Sequence, residues 1–147
     1  NYAQLKRHRM STLLKSNYHP WLGITIPSSI QEVGLGREFK QLIAQTNRVY
    51  RELKKNHGAG ADYLLTNAHR RMVTLKMNLR EFYHFVRLRE DDHAQWDIRH
   101  LAEKLDIKVR KLMPLSGMML CGKSNYTRRY SSIFESRLSH SKPIRRK

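Results

Sequence analysis

Between residues 39 and 53 the chain repeats apolar and polar positions with the period of a helix. Phe39, Leu42, Ile43, Thr46, Val49, Tyr50 and Leu53 fall on one face, and Lys40, Arg48, Arg51 and Lys55 cover the other. Asn56-His57-Gly58 then reads as a C-cap. Further on, Val73, Leu75 and Met77 alternate with Arg71, Thr74 and Lys76, which predicts a strand over Met72 to Met77 with one buried face; Tyr63 to Leu65 is a second strand candidate. Asn78-Leu79-Arg80-Glu81 fits an N-cap with an acid at the third helical position, opening a helix whose inner stripe is Leu79, Phe82, Tyr83 and Val86. Asp92-His93-Ala94-Gln95 repeats that device, and a second long helix runs through Ala94, Ile98, Leu101, Ala102, Leu105, Val109 and Leu112 until Pro114 stops it.

The flanks are less regular. The basic cluster Lys6-Arg7-His8-Arg9 sits at the end of an N-terminal helix, with an irregular polar stretch after it up to Tyr18. Pro20 and Gly23 break the chain, Ile24-Thr25-Ile26 reads as a short strand stopped by Pro27, and Ser28 to Gly36 as a loop. A short helix over Tyr126 to Leu138 closes the ordered part. The expected class is α+β, helix-dominated with a small antiparallel sheet, in one domain over residues 1–138, followed by a disordered basic tail over 139–147.

Charge narrows the partners. The 147 residues carry a formal net charge of +17, a field that calls for phosphate or carboxylate partners: nucleic acid, nucleotides or phosphorylated cofactors. One cysteine, Cys121, excludes an internal disulfide framework, and the eight histidines form no HExxH or HxH pair, so no metal is expected. No stretch approaches the roughly 20 apolar residues that span a bilayer, so a soluble, cytoplasmic protein is expected. The chain opens at Asn1 without a Met and runs straight into patterned sequence, which points to a segment upstream.

The densest chemistry lies in Asn78-Leu79-Arg80-Glu81-Phe82-Tyr83-His84-Phe85-Val86-Arg87-Leu88-Arg89, then Ala94-Gln95-Trp96-Asp97-Ile98-Arg99. A ligand lying along this helix can meet the cap at Asn78, Arg80, His84 one turn on, and Arg89 near the C-terminal end. Arginines at such spacing also form solvated faces paired to Glu81 or Asp92, and a histidine beside Phe85 and Val86 also serves as a packing residue; spacing alone leaves both open.

The Asn-x-Arg-x-x-x-His pattern, the Leu88-Arg89 pair and the Ala-Gln-Trp-Asp-Ile-Arg run resemble the helix region of the flavin-dependent thymidylate synthases, the ThyX family. Gln4-Leu5-Lys6-Arg7-His8-Arg9 stands where that family has Gln-x-x-Arg-His-Arg, and the resemblance covers about residues 1 to 115. It implies FAD as cofactor, held by Arg7, His8, Arg9, Asn78, Leu79, Arg80 and His84, and a nucleotide, dUMP, bound by Gln4, Arg7 and Arg89. Arg89 is implied as the catalytic residue, its fixed positive charge favouring ionisation of the uracil N3. Reductive methylation of dUMP to dTMP, with methylenetetrahydrofolate and NADPH as co-substrates, and a homotetramer are further implications.

The chain also departs from the pattern. Lys15 stands at the family's acid, Asn17 at its second serine, His19 at its final arginine and Asp62 at a second nucleotide arginine, and an acid at that last position repels a phosphate. Two alternatives therefore stay open beside the synthase: a ThyX-like paralogue binding FAD or another pyrimidine nucleotide without making thymidylate, and a basic nucleic-acid-binding module, although no RNP aromatic pair, KH loop or zinc-finger spacing is present.

Overall fold

The computed structural model describes residues 2–138, with side chains through Glu135; the basic stretch 139–147 expected as a tail lies outside the described residues. The elements in order are α1 (Tyr2–Leu5), β1 (Thr12–Lys15), α2 (Ser28–Glu32), α3 (Gly36–His57), β2 (Val73–Lys76), α4 (Leu79–Arg89), α5 (Trp96–Leu112) and α6 (Tyr126–Leu138), with 3-10 turns at Pro20–Leu22, Gly58–Leu64 and Lys123–Asn125. β1 and β2 form a two-stranded antiparallel sheet. The architecture is α+β with helices dominant. The described residues pack as two compact units, 14–74 and the combination of 2–13 with 75–138.

The unit made of 14–74 is built on α3. Its C-cap is the expected one: Gly58 takes φ 53°, a backbone that glycine adopts without Cβ strain, and its N–H returns to the Lys54 carbonyl. Ile43 and Tyr50 are buried on α3, and Ala61 in the following turn is buried with them. The wider apolar stripe is not all internal, since Leu42 and Val49 remain exposed. Three expectations are corrected here. Tyr63 to Leu65 is no strand; it lies at the end of the 3-10 turn Gly58–Leu64, with Tyr63 97% exposed. Ile24 to Ile26 contributes only an isolated antiparallel bridge, Ile24 to His69. Ser28 to Gly36 contains α2, whose start behind Pro27 suits the fixed φ of proline.

The other unit packs α4 against α5. Phe85, Val86, Ile98, Ala102 and Leu120 are almost wholly buried, with Phe82 and Leu5 close behind. Phe85 is thus the most buried aromatic of α4, although it was not placed on the inner stripe. Asn78 caps α4 as its position indicates, its side-chain oxygen accepting from the Glu81 N–H at 2.9 Å. α5 starts later than expected: the cap is Gln95, whose Oε1 accepts from Ile98 N–H at 3.2 Å, and not Asp92. The polar stretch after Arg9, expected to be irregular, contains β1, whose four residues, with Leu13 and Leu14 adjacent, are too few to show a period of two.

Gly122 is needed for a close backbone approach. A Cβ there would lie 2.5 Å from the Glu90 carbonyl oxygen and 2.9 Å from the Asp91 nitrogen, so the segment before α6 passes directly against the C-terminal end of α4. Gly122→Ala is expected to cost about 1–3 kcal/mol, the range for overpacking against backbone that cannot yield. A thermal melt followed by circular dichroism checks it; a midpoint unchanged within a degree contradicts the close approach.

Candidate functional site

The short helix α1 and the turn after it place a histidine inside the protein. His8 N–H bonds back to the Leu5 carbonyl at 3.0 Å, and Ser11 closes the turn from the other side, its Oγ donating to the His8 carbonyl at 2.6 Å. The ring enters the packed face of α4, lying edge-on to Phe85 at 5.2 Å and to His84 at 5.7 Å between centroids. His8 is only 4% exposed.

Both ring nitrogens are engaged there. Nδ1 lies 2.9 Å from Glu81 Oε1, and Nε2 accepts a hydrogen bond from Arg89 Nε at 3.1 Å. Arg89 also donates through Nη2 to the Gln4 carbonyl at 3.1 Å. The last residue of α4 is thereby tied to the N-terminal turn by two directed bonds. A guanidinium carries five N–H donors, so three remain unspent among the described residues.

Burial lowers the pKa of His8 from its ordinary value; the hydrogen bond to Glu81 opposes this, and the Arg89 charge adds to the depression. The ring is therefore neutral at pH 7, which suits an Nε2 that must accept from a guanidinium. Burial likewise lowers the pKa of Arg89, with the neighbouring Arg7 charge contributing, yet an arginine keeps its proton. Two arginines near one another with few acids around them form a local positive field that an anion would relieve.

Beside this cluster is a cavity of about 390 Å³ lined by Met10, Asn78, Arg80, Glu81 and His84. Of the residues singled out in the sequence, the structure brings Gln4, His8 and Arg89 together by hydrogen bonds and puts Asn78, Arg80 and His84 around this cavity. Arg7 stands near Arg89, Arg9 is exposed, and Leu79 is half-buried on the first turn of α4. A second cavity of about 260 Å³ runs from His84 and Tyr83 to Cys121 and Tyr126. Burial pushes the Cys121 thiol up, so it is a neutral, weakly nucleophilic group.

Glu81 was missed as a member of the site. An acid three residues after a cap residue signals a capping box, in which its carboxylate would return to the cap N–H. The carboxylate instead turns inward to His8, leaving only its backbone N–H to the cap. Residue spacing within one helix carries no signal for a partner 73 residues away. Glu81 with His8 and His84 also places one ligand-type atom each within 4.8 Å of one another. Both nitrogens of His8 are already hydrogen-bonded, and the Arg89 charge stands against a cation; within the trio His8 bonds Glu81, and His84 meets the His8 ring edge-on.

A family model described as thymidylate synthase complementing protein matches residues 2–115, which include every residue of this cluster. The chain belongs to that family. Among the relatives of this ThyX family member, UPF0159 protein Ta1429 of Thermoplasma acidophilum is 28% identical over 121 residues, covering 80% of this chain and 24% of that protein. The flavin-dependent thymidylate synthase of Pyrococcus abyssi is 32% identical over 119 residues, covering 74% of this chain and 49% of that protein. The enzyme of the same name from Thermococcus onnurineus is 32% identical over 120 residues, with the same 74% and 49% covered. The chain thus spans about half the length of the two synthases. No helix among the described residues is long and apolar enough to cross a membrane.

In the 14–74 unit, Asp62, expected from the motif resemblance to stand at a nucleotide-binding position, sits in a local hydrogen-bonded network. Asp62 Oδ1 accepts from Lys54 Nζ at 2.9 Å and from the Tyr50 hydroxyl at 3.1 Å, and the hydrogen bond from Lys54 holds its pKa below the usual value. The carboxylate joins α3 to the turn that follows it, a structural task.

Glu90, the residue after Arg89, shares a buried acidic pocket with Asp106, which is fully buried and held by Arg110. Burial, with Asp106 adding, raises Glu90 to about 7. The folded protein therefore keeps this proton between about pH 4.5 and 7, where the unfolded chain has released it, and Glu90 makes stability fall as pH rises through that window. His8, with its lowered pKa, acts in the opposite sense. The comparison with Glu90→Gln isolates the first effect: its melting midpoint should gain on wild type as pH increases across the window. Parallel midpoint curves, measured by calorimetry at several pH values, contradict the protonated carboxyl.

Proposed function

We propose that this chain is the flavin- and nucleotide-binding part of a flavin-dependent thymidylate synthase, with dUMP as the acceptor, and that Arg89 carries the chemistry. The observation behind this reading is the guanidinium fixed at two points and left, among the described residues, with three N–H groups unspent. A cation that cannot lose its proton and cannot swing away stabilises negative charge on a uracil imide more than it stabilises the neutral ring. Electron density is thereby pushed toward C5, the carbon to be alkylated.

The residues present fit the implied groups. Gln4 Oε1 is buried without a hydrogen-bond partner among the described residues, an acceptor suited to an imide or amide N–H of a ligand. Arg7, Arg9 and Arg80 supply charge for phosphates, and His84 and Asn78 border a cavity wide enough for part of a heteroaromatic ring system. FAD, when bound, would supply the redox chemistry; Arg7, Arg9, Asn78, Leu79, Arg80 and His84 would hold it, Arg7 and Gln4 serving the nucleotide too, whereas His8, buried with both ring nitrogens hydrogen-bonded, does not fit a direct contact and would act behind Arg89. Methylenetetrahydrofolate and NADPH would complete the reaction, in a homotetramer.

A second reading, a relative that binds flavin or another pyrimidine nucleotide without making thymidylate, is favoured by Asp62. A carboxylate occupied by Lys54 and Tyr50 cannot stand in for a phosphate-binding arginine. The full-length protein decides between the two. Its visible spectrum reports bound flavin, and release of deuterium from 5-deuterio-dUMP reports attack at C5. Wild type is expected to release label, and Arg89→Lys to do so roughly 10²-fold more slowly with flavin retained, the size expected for one aimed donor lost from a developing anion. Equal release by Arg89→Lys contradicts the role of Arg89; bound flavin without any release in wild type establishes the second reading.

A further inference from the structure

We propose that Glu81 is a positioning residue: by fixing the proton of His8 on Nδ1 it makes Nε2 an acceptor, and so holds the Arg89 guanidinium in place for the nucleotide. For its functional consequence this rests on the nucleotide reading of Arg89; the positioning itself does not.

Donor and acceptor counting fixes the tautomer. A neutral imidazole has one N–H and one lone pair. An ionised carboxylate only accepts, so Glu81 at 2.9 Å from Nδ1 requires the proton there. A guanidinium only donates, so Arg89 Nε at 3.1 Å requires a lone pair on Nε2. The two demands agree, and only the Nδ1–H tautomer meets both. With the proton on Nε2, two N–H groups would face each other and Arg89 would keep just its bond to the Gln4 carbonyl.

The surroundings hold this choice firm. Glu81 is 7% exposed and His8 4%, so neither finds water as an alternative partner at low cost. The titratable groups facing His8 are Glu81, Arg89 and His84, and among them only Glu81 is an acid. The Glu81 backbone is itself set by the Asn78 cap, so the start of α4 aims the carboxylate while its last residue receives the effect one ring away. Glu81 acts on Arg89 only through the His8 ring, so its role is positioning and not catalysis.

The test uses the whole chain with ¹⁵N-labelled histidine and arginine, and reads the His8 tautomer from the ring nitrogen shifts and the Arg89 Nε–H from its exchange with solvent. Wild type is expected to show Nδ1–H and a protected Arg89 Nε–H. Glu81→Leu, which keeps an apolar fit but removes the acceptor, is expected to move the proton to Nε2, expose the Arg89 Nε–H to exchange, and weaken dUMP binding by about tenfold, the worth of one charge-assisted hydrogen bond. Glu81→Gln, whose amide oxygen can accept, is expected to keep the Nδ1–H tautomer and restore most of the affinity. Should Glu81→Leu fail to fold, Glu81→Gln decides alone: Nδ1–H with protection retained supports the proposal, and Nε2–H with protection retained overturns it. A Glu81→Leu protein that keeps both Nδ1–H and Arg89 protection also overturns it. Wild type that binds no dUMP sinks the nucleotide reading, and the tautomer and exchange results still settle the role of Glu81.

Discussion

The hydrogen-bonded chain from Glu81 through His8 to Arg89 is the constraint on which the rest of this unit depends. It joins a four-residue helix and a tight turn, which have little stability of their own, to a buried helix that does. Leaving either buried polar partner unsatisfied would cost about 1–3 kcal/mol, so the turn at Lys6 to Ser11 cannot drift without loss. Once His8 is seated, the C-terminal end of α4 is anchored, and Gly122 lets the next segment close over that end by direct backbone contact. A guanidinium held at two points beside a local excess of positive charge is a poor structural choice unless an anion comes to it.

Much of this was legible in the sequence, for reasons tied to particular residues. α3 shows because its apolar spacing is long and Gly58 punctuates it. α4 shows because Asn78 is a cap residue placed just before an apolar run, and α5 ends near Pro114 as its ring demands. The missed features lack such local marks. Four-residue β1 is too short to display a period, and Tyr63 has strand propensity but lies in a turn set by the glycines before it. Gln95 caps α5 from a position where Asp92 offers the commoner cap chemistry.

The candidate site residues Gln4, His8, Asn78, Arg80, His84 and Arg89 were singled out through motif resemblance and hardly at all through spacing. Glu81 illustrates the limit. Its backbone role follows from the local sequence, whereas its side-chain role depends on a turn far away in the chain. Asp62 illustrates the converse: it looked like a missing arginine, and the structure adds that it has a task of its own with Lys54 and Tyr50.

The central claim is that His8 and Arg89 act on the nucleotide as one unit, and a double-mutant cycle measures that most directly. dUMP affinity is determined by equilibrium dialysis for the full-length protein, for His8→Ala, for Arg89→Ala and for the double variant. Residues in one hydrogen-bonded network should show a coupling of roughly 0.5–3 kcal/mol, so the double variant should bind little worse than Arg89→Ala alone. Effects that simply add would contradict the account, because they would mean that Arg89 meets the nucleotide without help from His8.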